Sequence, residues 1–296
     1  MIENGSDIIA LPEHWLWPYN IASLSNIHPE FEGFGYCDER LNEACTLKGC
    51  GGIGIIWRKS IQAIPLTNIV SNRLCAIQLR LNDASCVTII AVYLPSTNYA
   101  REDFVESFQE LQSIVSACQS DGPVMIVGDF NVNVKTADRN YRNELFDNFL
   151  DANSLLVLSQ TLLCQGPDYT FFTNTQNSTL DYILTDVDFY DNVLNCIVHP
   201  HHPLNLSDHL PLTTTLKLCC EEQVHLTQPI LRLNWRFAVE TGVVCTYEDG
   251  MNKVIKPLLD LRGQTLGEID NEIQFVSNMM IQTAANHIPK MKVHKT

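Results

Sequence analysis

Short apolar runs rich in β-branched residues recur through the first two thirds of the chain, separated by polar loops. Ser85–Tyr93 (SCVTIIAVY) and Pro123–Val127 (PVMIV) are compact and uniformly apolar, as buried strands are. Leu180–Leu184 (LDYIL) and Pro211–Leu218 (PLTTTLKL) read as further strands, the second with partial alternation. Between the first two runs, Phe104, Phe108, Leu111, Val115 and Cys118 recur every three or four residues and mark one buried helix face. A second helix is expected over Tyr141–Ala152, where Leu145 and Phe149 stand four apart. Many strands with few helices predict sheets packed face to face and covered by helices, not a strictly alternating doubly wound fold.

The pattern changes near Cys219, so the chain divides into 1–218 and 219–296. LRLNWRF is followed by an interrupted helical pattern (MNKVIKPLLDLRG), and then Ile269, Ile273, Val276, Met280 and Ala284 share a face. Thr265 and Glu268 have the spacing of a capping box, and Pro289 closes the stretch. With no strand pattern and little core of its own, this tail reads as a helical linker or docking segment. KMKVHKT at its end reads as a solvated terminus.

Composition supports a sizeable core, since 45% of the 296 residues are hydrophobic and 18% charged. No apolar run approaches bilayer length, and MIENGSDIIALPEHW does not read as a secretory leader, so a membrane partner and secretion are not expected. Eleven scattered cysteines without a CxxC pair suit free thiols in a reducing compartment. Charge opposes the simplest nucleic-acid reading. The net is −15, and residues 1–218 hold 11 Lys/Arg against 25 Asp/Glu. Such a body repels a polyanion, so any nucleic-acid recognition must rest on local groups and bound cations.

Two tempting motifs fail. Gly49-Cys50-Gly51-Gly52-Ile53-Gly54 fits GxGxxG, but a polar loop precedes it and an apolar strand follows, whereas dinucleotide binding needs a strand before and a helix after. It reads as a glycine-rich strand entry. His199, His201, His202 and His209 lack cysteine partners at zinc-finger spacing, and Cys45 and Cys50 read as loop thiols.

Polar residues at the ends of apolar strands are the stronger signal. Val124–Val127 leads through Gly128 to Asp129, Phe130 and Asn131, and alternation would aim Asp129 and Asn131 the same way. Ile8–Pro12 delivers Glu13, the run ending at Val92 delivers Tyr93, and Asp181 lies inside an apolar strand where it must be paired. Ser207, Asp208 and His209 precede the last strand. Singly, each is a turn residue, a cap or a structural histidine. Together they suit metal-assisted phosphodiester hydrolysis. Glu13 and Asp208 offer carboxylate oxygens to a hard cation. Asp129 can orient or deprotonate water. Asn131, Tyr93 and His209 offer donors to phosphoryl oxygens, with Asp181 fixing the His209 tautomer.

In order and spacing, LPEHW at 11–15, GDFN at 128–131, LDYIL at 180–184 and SDH at 207–209 resemble the endonuclease/exonuclease/phosphatase superfamily, and within it the apurinic-type endonuclease domain of non-LTR (LINE-type) retrotransposons. The resemblance spans about residues 6–218. It implies a four-layer α/β sandwich of two packed mixed sheets flanked by helices, with the site at the rim where strands of both sheets end. It also implies a Mg²⁺-dependent nick in DNA (Mn²⁺ an alternative) leaving 3′-hydroxyl and 5′-phosphate ends. Glu13 and Asp208 would bind metal, and Asp129, Asn131, His209, Asp181 and Tyr93 would be catalytic. Thr170 would support the DNA phosphate or the scaffold, and Ser207, Asn131 and Tyr93 would contact substrate. The tail resembles the segment that precedes a reverse transcriptase, so a covalently linked polymerase is an implied partner, with cytoplasmic synthesis and nuclear action. Two departures stand out: the family's first strand, carrying an Asn near the metal, should lie upstream of Asp7, where only six residues stand, so the domain is expected to lack it, and Pro12 stands where Gln is usual. Two other readings follow, a superfamily phosphatase or phosphodiesterase acting on small or lipid phosphates and a non-catalytic remnant.

Overall fold

The computed structural model describes residues 5–38, 49–82, 85–220, 231–233, 235–255, 280, 283–284, 286–288 and 290–292. The chain forms two units, 1–224 and 225–296. In the first, the strands are β1 (Ile8–Pro12), β2 (Phe31–Tyr36), β3 (Ile53–Arg58), β4 (Ala63–Pro65), β5 (Leu74–Arg80), β6 (Cys86–Tyr93), β7 (Val124–Asp129), β8 (Leu155–Val157), β9 (Cys164–Gln165), β10 (Phe171–Phe172), β11 (Asn177–Ser178), β12 (Asp181–Asp186), β13 (Val193–Val198) and β14 (Leu212–Leu216). Helix α1 (Arg101–Gln119) carries the chain from β6 to its parallel neighbour β7, and α2 (Tyr141–Ala152) follows.

Six strands form a mixed sheet in the order β4-β5-β6-β7-β12-β8, and alternation sorts their side chains into two layers. Leu74, Ala76, Ile90, Val92, Val124, Ile126, Tyr182 and Leu184 meet Phe104, Phe108, Leu111 and Val115 of α1 and Phe146 and Phe149 of α2. The intervening residues Cys75, Ile77, Leu79, Val87, Ile89, Ala91, Met125 and Ile183 face the other way. They pack on Ile53, Ile55 and Trp57 of β3 and on Val193 and Cys196 of β13. That second layer consists of two three-stranded sheets, β1-β3-β2 and β14-β13-β9. A 3₁₀ segment, Pro18–Asn26, lies over β2 as the outermost layer and buries Leu24. Each large apolar side chain so buried contributes about 1.5–3 kcal/mol relative to exposure, so burial on both faces fixes the order of layers.

The expected four-layer sandwich is therefore the fold. The predicted helix over 141–152 has those bounds, started by Asn140, whose Oδ1 accepts from Arg142 N at 2.8 Å. β7 runs two residues past Val127 and takes in Asp129. The expectation that the domain lacks its family's first strand concerns a stretch before Asp7 that lies mostly outside the described residues.

In the second unit, α3 (Trp235–Glu240) and α4 (Val244–Ile255) accompany a small cluster of Ala238, Ala284 and Ile288. This tail was expected to lack strands, yet β15 (Leu231–Leu233) pairs antiparallel with β16 (Lys290–Lys292). The partners lie at opposite ends of the segment, so no local periodicity announces them. The expected capping box at Thr265–Glu268 and most of the helix through Ala284 fall outside the described residues. No helix among the described residues is long and apolar enough to cross a membrane.

Candidate active site

Three neighbouring strands place three polar side chains in one row. Tyr93, the last residue of β6, is the register partner of Asp129, the last residue of β7. Asp129 pairs in turn with Asp181, the first residue of antiparallel β12. All three have the parity of Ile89, Met125 and Ile183, so they belong to the face between the sheets.

Asp129 is 6% exposed and is held by a tight turn. Asn131, at φ +50°, donates its backbone N–H to Asp129 Oδ1 (2.9 Å) and its side-chain Nδ2 to Asp129 Oδ2 (2.8 Å). Nδ2 also donates to Leu94 O (2.9 Å). Strand alternation, expected to align these two residues, does not do so: β7 ends at Asp129, and a left-handed turn of the kind asparagine tolerates brings Asn131 back onto it. Both amide hydrogens are thereby spent. Asn131, expected to donate to phosphate, here holds the Asp129 carboxylate. Arg142 fixes the same turn from below through Asn131 O (3.1 Å), Pro95 O (2.7 Å) and Ser96 O (2.9 Å).

His209 reaches the end of the row from the β13–β14 loop, with Nδ1 at 2.8 Å from Asp181 Oδ2. Burial alone would lower its pKa. The hydrogen bond and charge of Asp181, helped by Asp129 and Asp208, outweigh burial and raise it to about 9. His209 is therefore protonated at neutral pH, and its Nε2–H has no partner among the described residues. Asp129 moves upward as well, through burial first and then the like charge of Asp181.

Glu13 enters from the second layer. It follows β1 in a strained turn in which Glu13 (φ +53°) and Trp15 (φ +55°) are left-handed. Glu13 N donates to Gly52 O (2.9 Å) and Trp15 N to Gly51 O (3.0 Å). Between them His14 accepts from Leu16 N at Nδ1 (3.0 Å) and donates from Nε2 to Tyr36 O (3.1 Å). Burial lowers its pKa, so it stays neutral. Gly52 has to be glycine: its φ is +86°, and a Cβ there would stand 2.3 Å from the His14 ring. The Glu13 carboxylate accepts from the Tyr93 hydroxyl. Burial, then this bond and charge, push the Tyr93 phenol up, so it remains a donor committed to Glu13. Arg73 lies over both the Tyr93 and Tyr99 rings, 4.7 Å from each centroid, and its Nη1 is buried without a hydrogen-bond partner. It lines a cavity of about 410 Å³ shared with Gly51, Gly52, Asn72, Pro95 and Tyr99.

Of the remaining candidates, Asp208 and Ser207 are exposed on the rim, and Ser207 Oγ accepts from His209 N (3.0 Å). Thr170 is fully buried. Its hydroxyl accepts from Leu180 N and Asp181 N, both at 3.0 Å, and its carbonyl accepts from Leu210 N (2.6 Å). Of the two roles implied for Thr170, the geometry gives scaffold and leaves no surface for phosphate. Arg73 and Arg142 escaped the sequence reading, and Gly52 and His14 entered it only as parts of a strand entry and of LPEHW, without a role. The glycine pair ahead of β3 was the only available signal, and it points to a left-handed turn without naming its tenant.

Among the described residues, no three His, Cys, Asp or Glu side chains are gathered so as to enclose a metal ion by themselves. A hard divalent cation needs fewer, because one or two protein carboxylates suffice when phosphate and water complete the shell. The donor set suits it. Glu13 and Asp208 are exposed carboxylates, and the like charges of Asp181 and Glu13 add to burial in raising Asp129, a repulsion that a cation would relieve.

The sequence model of the endonuclease/exonuclease/phosphatase family matches residues 1–209. No curated protein matches the sequence significantly. Among solved structures, the AP endonuclease LMAP from Leishmania major is similar at TM-score 0.60 and 14% identity, covering 73% of this chain and 80% of that one. The 3′ phosphatase NExo from Neisseria, bound to a product DNA hairpin, gives 0.56 and 19%, covering 73% and 91%. The endonuclease domain of TRAS1, a telomere-specific non-LTR retrotransposon, gives 0.56 and 15%, covering 73% and 88%. At such identities these likenesses establish a shared fold.

Proposed function

Because the chain belongs to the endonuclease/exonuclease/phosphatase family, we propose that it is a divalent-cation-dependent phosphodiester hydrolase, an endonuclease that nicks duplex DNA to leave a 3′-hydroxyl and a 5′-phosphate. The observation that carries this reading is the row Tyr93, Asp129 and Asp181 with His209 bonded to its end. Glu13 and Asp208 are the residues that would hold Mg²⁺ or Mn²⁺. When bound, the cation supplies polarisation of a phosphoryl oxygen.

The other tasks fall to this chain's own groups. Asp129, its carboxyl raised toward neutrality, is suited to take the proton of an attacking water. Asn131 aims that carboxyl, and Tyr93 fixes the Glu13 carboxylate. His209, protonated and oriented by Asp181, donates from Nε2 to a phosphoryl oxygen as charge grows there. The acidic body leaves DNA recognition to groups on the rim. The fold shared with a retrotransposon endonuclease domain supports a biological setting in which the new 3′-hydroxyl serves a linked reverse transcriptase in the nucleus.

An end-labelled duplex incubated with the protein and Mg²⁺ tests the reading. Nicks that DNA ligase seals without prior treatment support it. Turnover confined to inositol phosphates or other small phosphate esters would replace it with the phosphatase reading.

A further inference from the structure

The loop that delivers His209 is tied down at successive points. Asn205 N donates to His202 O (2.8 Å), closing a turn with Pro203 and Leu204 at its corners. Asn205 Oδ1 accepts from Ser207 N (3.2 Å), and Asn205 Nδ2 donates to His209 O (2.8 Å). At the loop's base, the His201 ring stands edge-on to Phe172 at 5.3 Å, and Phe172 N donates to Asp208 O (3.0 Å). Two side chains of this loop are aliphatic and point into solvent: Leu204 is 83% exposed and Leu206 98%. One exposed leucine needs no explanation. Here two flank the asparagine that anchors the His209 carbonyl, on the rim of the site, and nothing in the described chain covers them.

We propose that Leu204 and Leu206 form an apolar wedge that enters the base stack of duplex DNA beside the scissile phosphate. This rests on the endonuclease reading. The chemistry of the partner follows from charge and position. With 11 Lys/Arg against 25 Asp/Glu over residues 1–218, phosphate neutralisation supplies little attraction. Insertion of an aliphatic side chain between base pairs is indifferent to that charge and bends the duplex open. Because the wedge and His209 are braced by the same asparagine, the step it enters sets which phosphate lies at His209. Easily unstacked TA and CA steps are therefore preferred, and binding depends less on salt than phosphate-dominated binding does.

The test uses the full chain and a duplex carrying 2-aminopurine at a TA step, first without divalent cation. Wild type is expected to raise the fluorescence several-fold on binding as the base unstacks. The doubly substituted Leu204→Ala/Leu206→Ala protein is expected to bind at least tenfold more weakly, without that rise. With Mg²⁺, its loss on duplex DNA should exceed its loss on bis(p-nitrophenyl) phosphate, which has no stacked bases, at least tenfold. Equal fluorescence and equal nicking by the two proteins would overturn the wedge, as would equal losses on both substrates. If wild type turns over neither substrate, the endonuclease reading fails on its own, and the cation-free fluorescence still decides the wedge.

Discussion

His209 Nδ1 lies 2.8 Å from Asp181 Oδ2, although 28 positions separate the two residues in the chain. Buried Thr170 holds the backbone on both sides of the pair, accepting from Asp181 N and from Leu210 N. The consequence is a histidine that keeps its proton to about pH 9. If that proton serves the phosphoryl oxygen, nicking should fall on an alkaline limb near that value. Asp181→Asn should lower the rate by roughly 10²–10⁴-fold and move the limb to lower pH. A pH–rate profile of both proteins checks this.

The same pair sets a trend in stability. The unfolded chain releases the His209 proton near the ordinary 6.5, and the folded chain near 9. Its stabilising contribution is thus complete below pH 6.5 and is lost as pH rises through about 9. Asp129, also raised by burial, adds a decline of the same sign that begins at lower pH. Without metal, Tm should fall between pH 6.5 and 9, and Asp181→Asn should flatten that interval. A Tm that climbs across it would contradict the assignment.

Gly52→Ala should disturb the turn that bears Glu13, a residue proposed to hold the cation, without touching a carboxylate. The new methyl meets the His14 ring, and the left-handed backbone costs about 1–3 kcal/mol more. The turn bearing Glu13 must shift, so the Mg²⁺ concentration for half-maximal nicking should rise roughly tenfold or more. Titration of Mg²⁺ against nicking rate measures it.

Thr170→Val keeps the side-chain shape and removes the acceptor. Two part-buried N–H groups lose this partner, at up to about 1–3 kcal/mol each. Thermal unfolding should show a drop in Tm of at least roughly 5 °C. At low temperature the variant should still nick, because Thr170 is scaffold; complete loss of nicking in a folded variant would give it a direct role.

The sequence carried the frame and the chemistry more readily than the arrangement. Apolar runs gave β6, β7 and β12, and because those runs end in Tyr93 and Asp129 or begin at Asp181, the row itself was legible. The turns were not. Nothing local says that Asn131 folds back to spend both amide hydrogens, or that Gly51 and Gly52 carry the turn bearing Glu13. Arg142 reads as one more polar residue of an amphipathic helix, yet it is 5% exposed and bonds three carbonyls. The β15–β16 pair depends on residues from the two ends of the tail. Such features depend on left-handed backbone or long-range contact, and neither leaves a periodic trace.

The most direct test of the central claim is relaxation of supercoiled plasmid in Mg²⁺ by wild type, Asp129→Ala and His209→Ala, with folding of each verified by thermal unfolding. Wild type should convert the plasmid to the open-circular form, an excess of chelator should stop it, and each variant should be slower by at least 10²-fold. Equal nicking by wild type and either folded variant would contradict the site assigned to this rim.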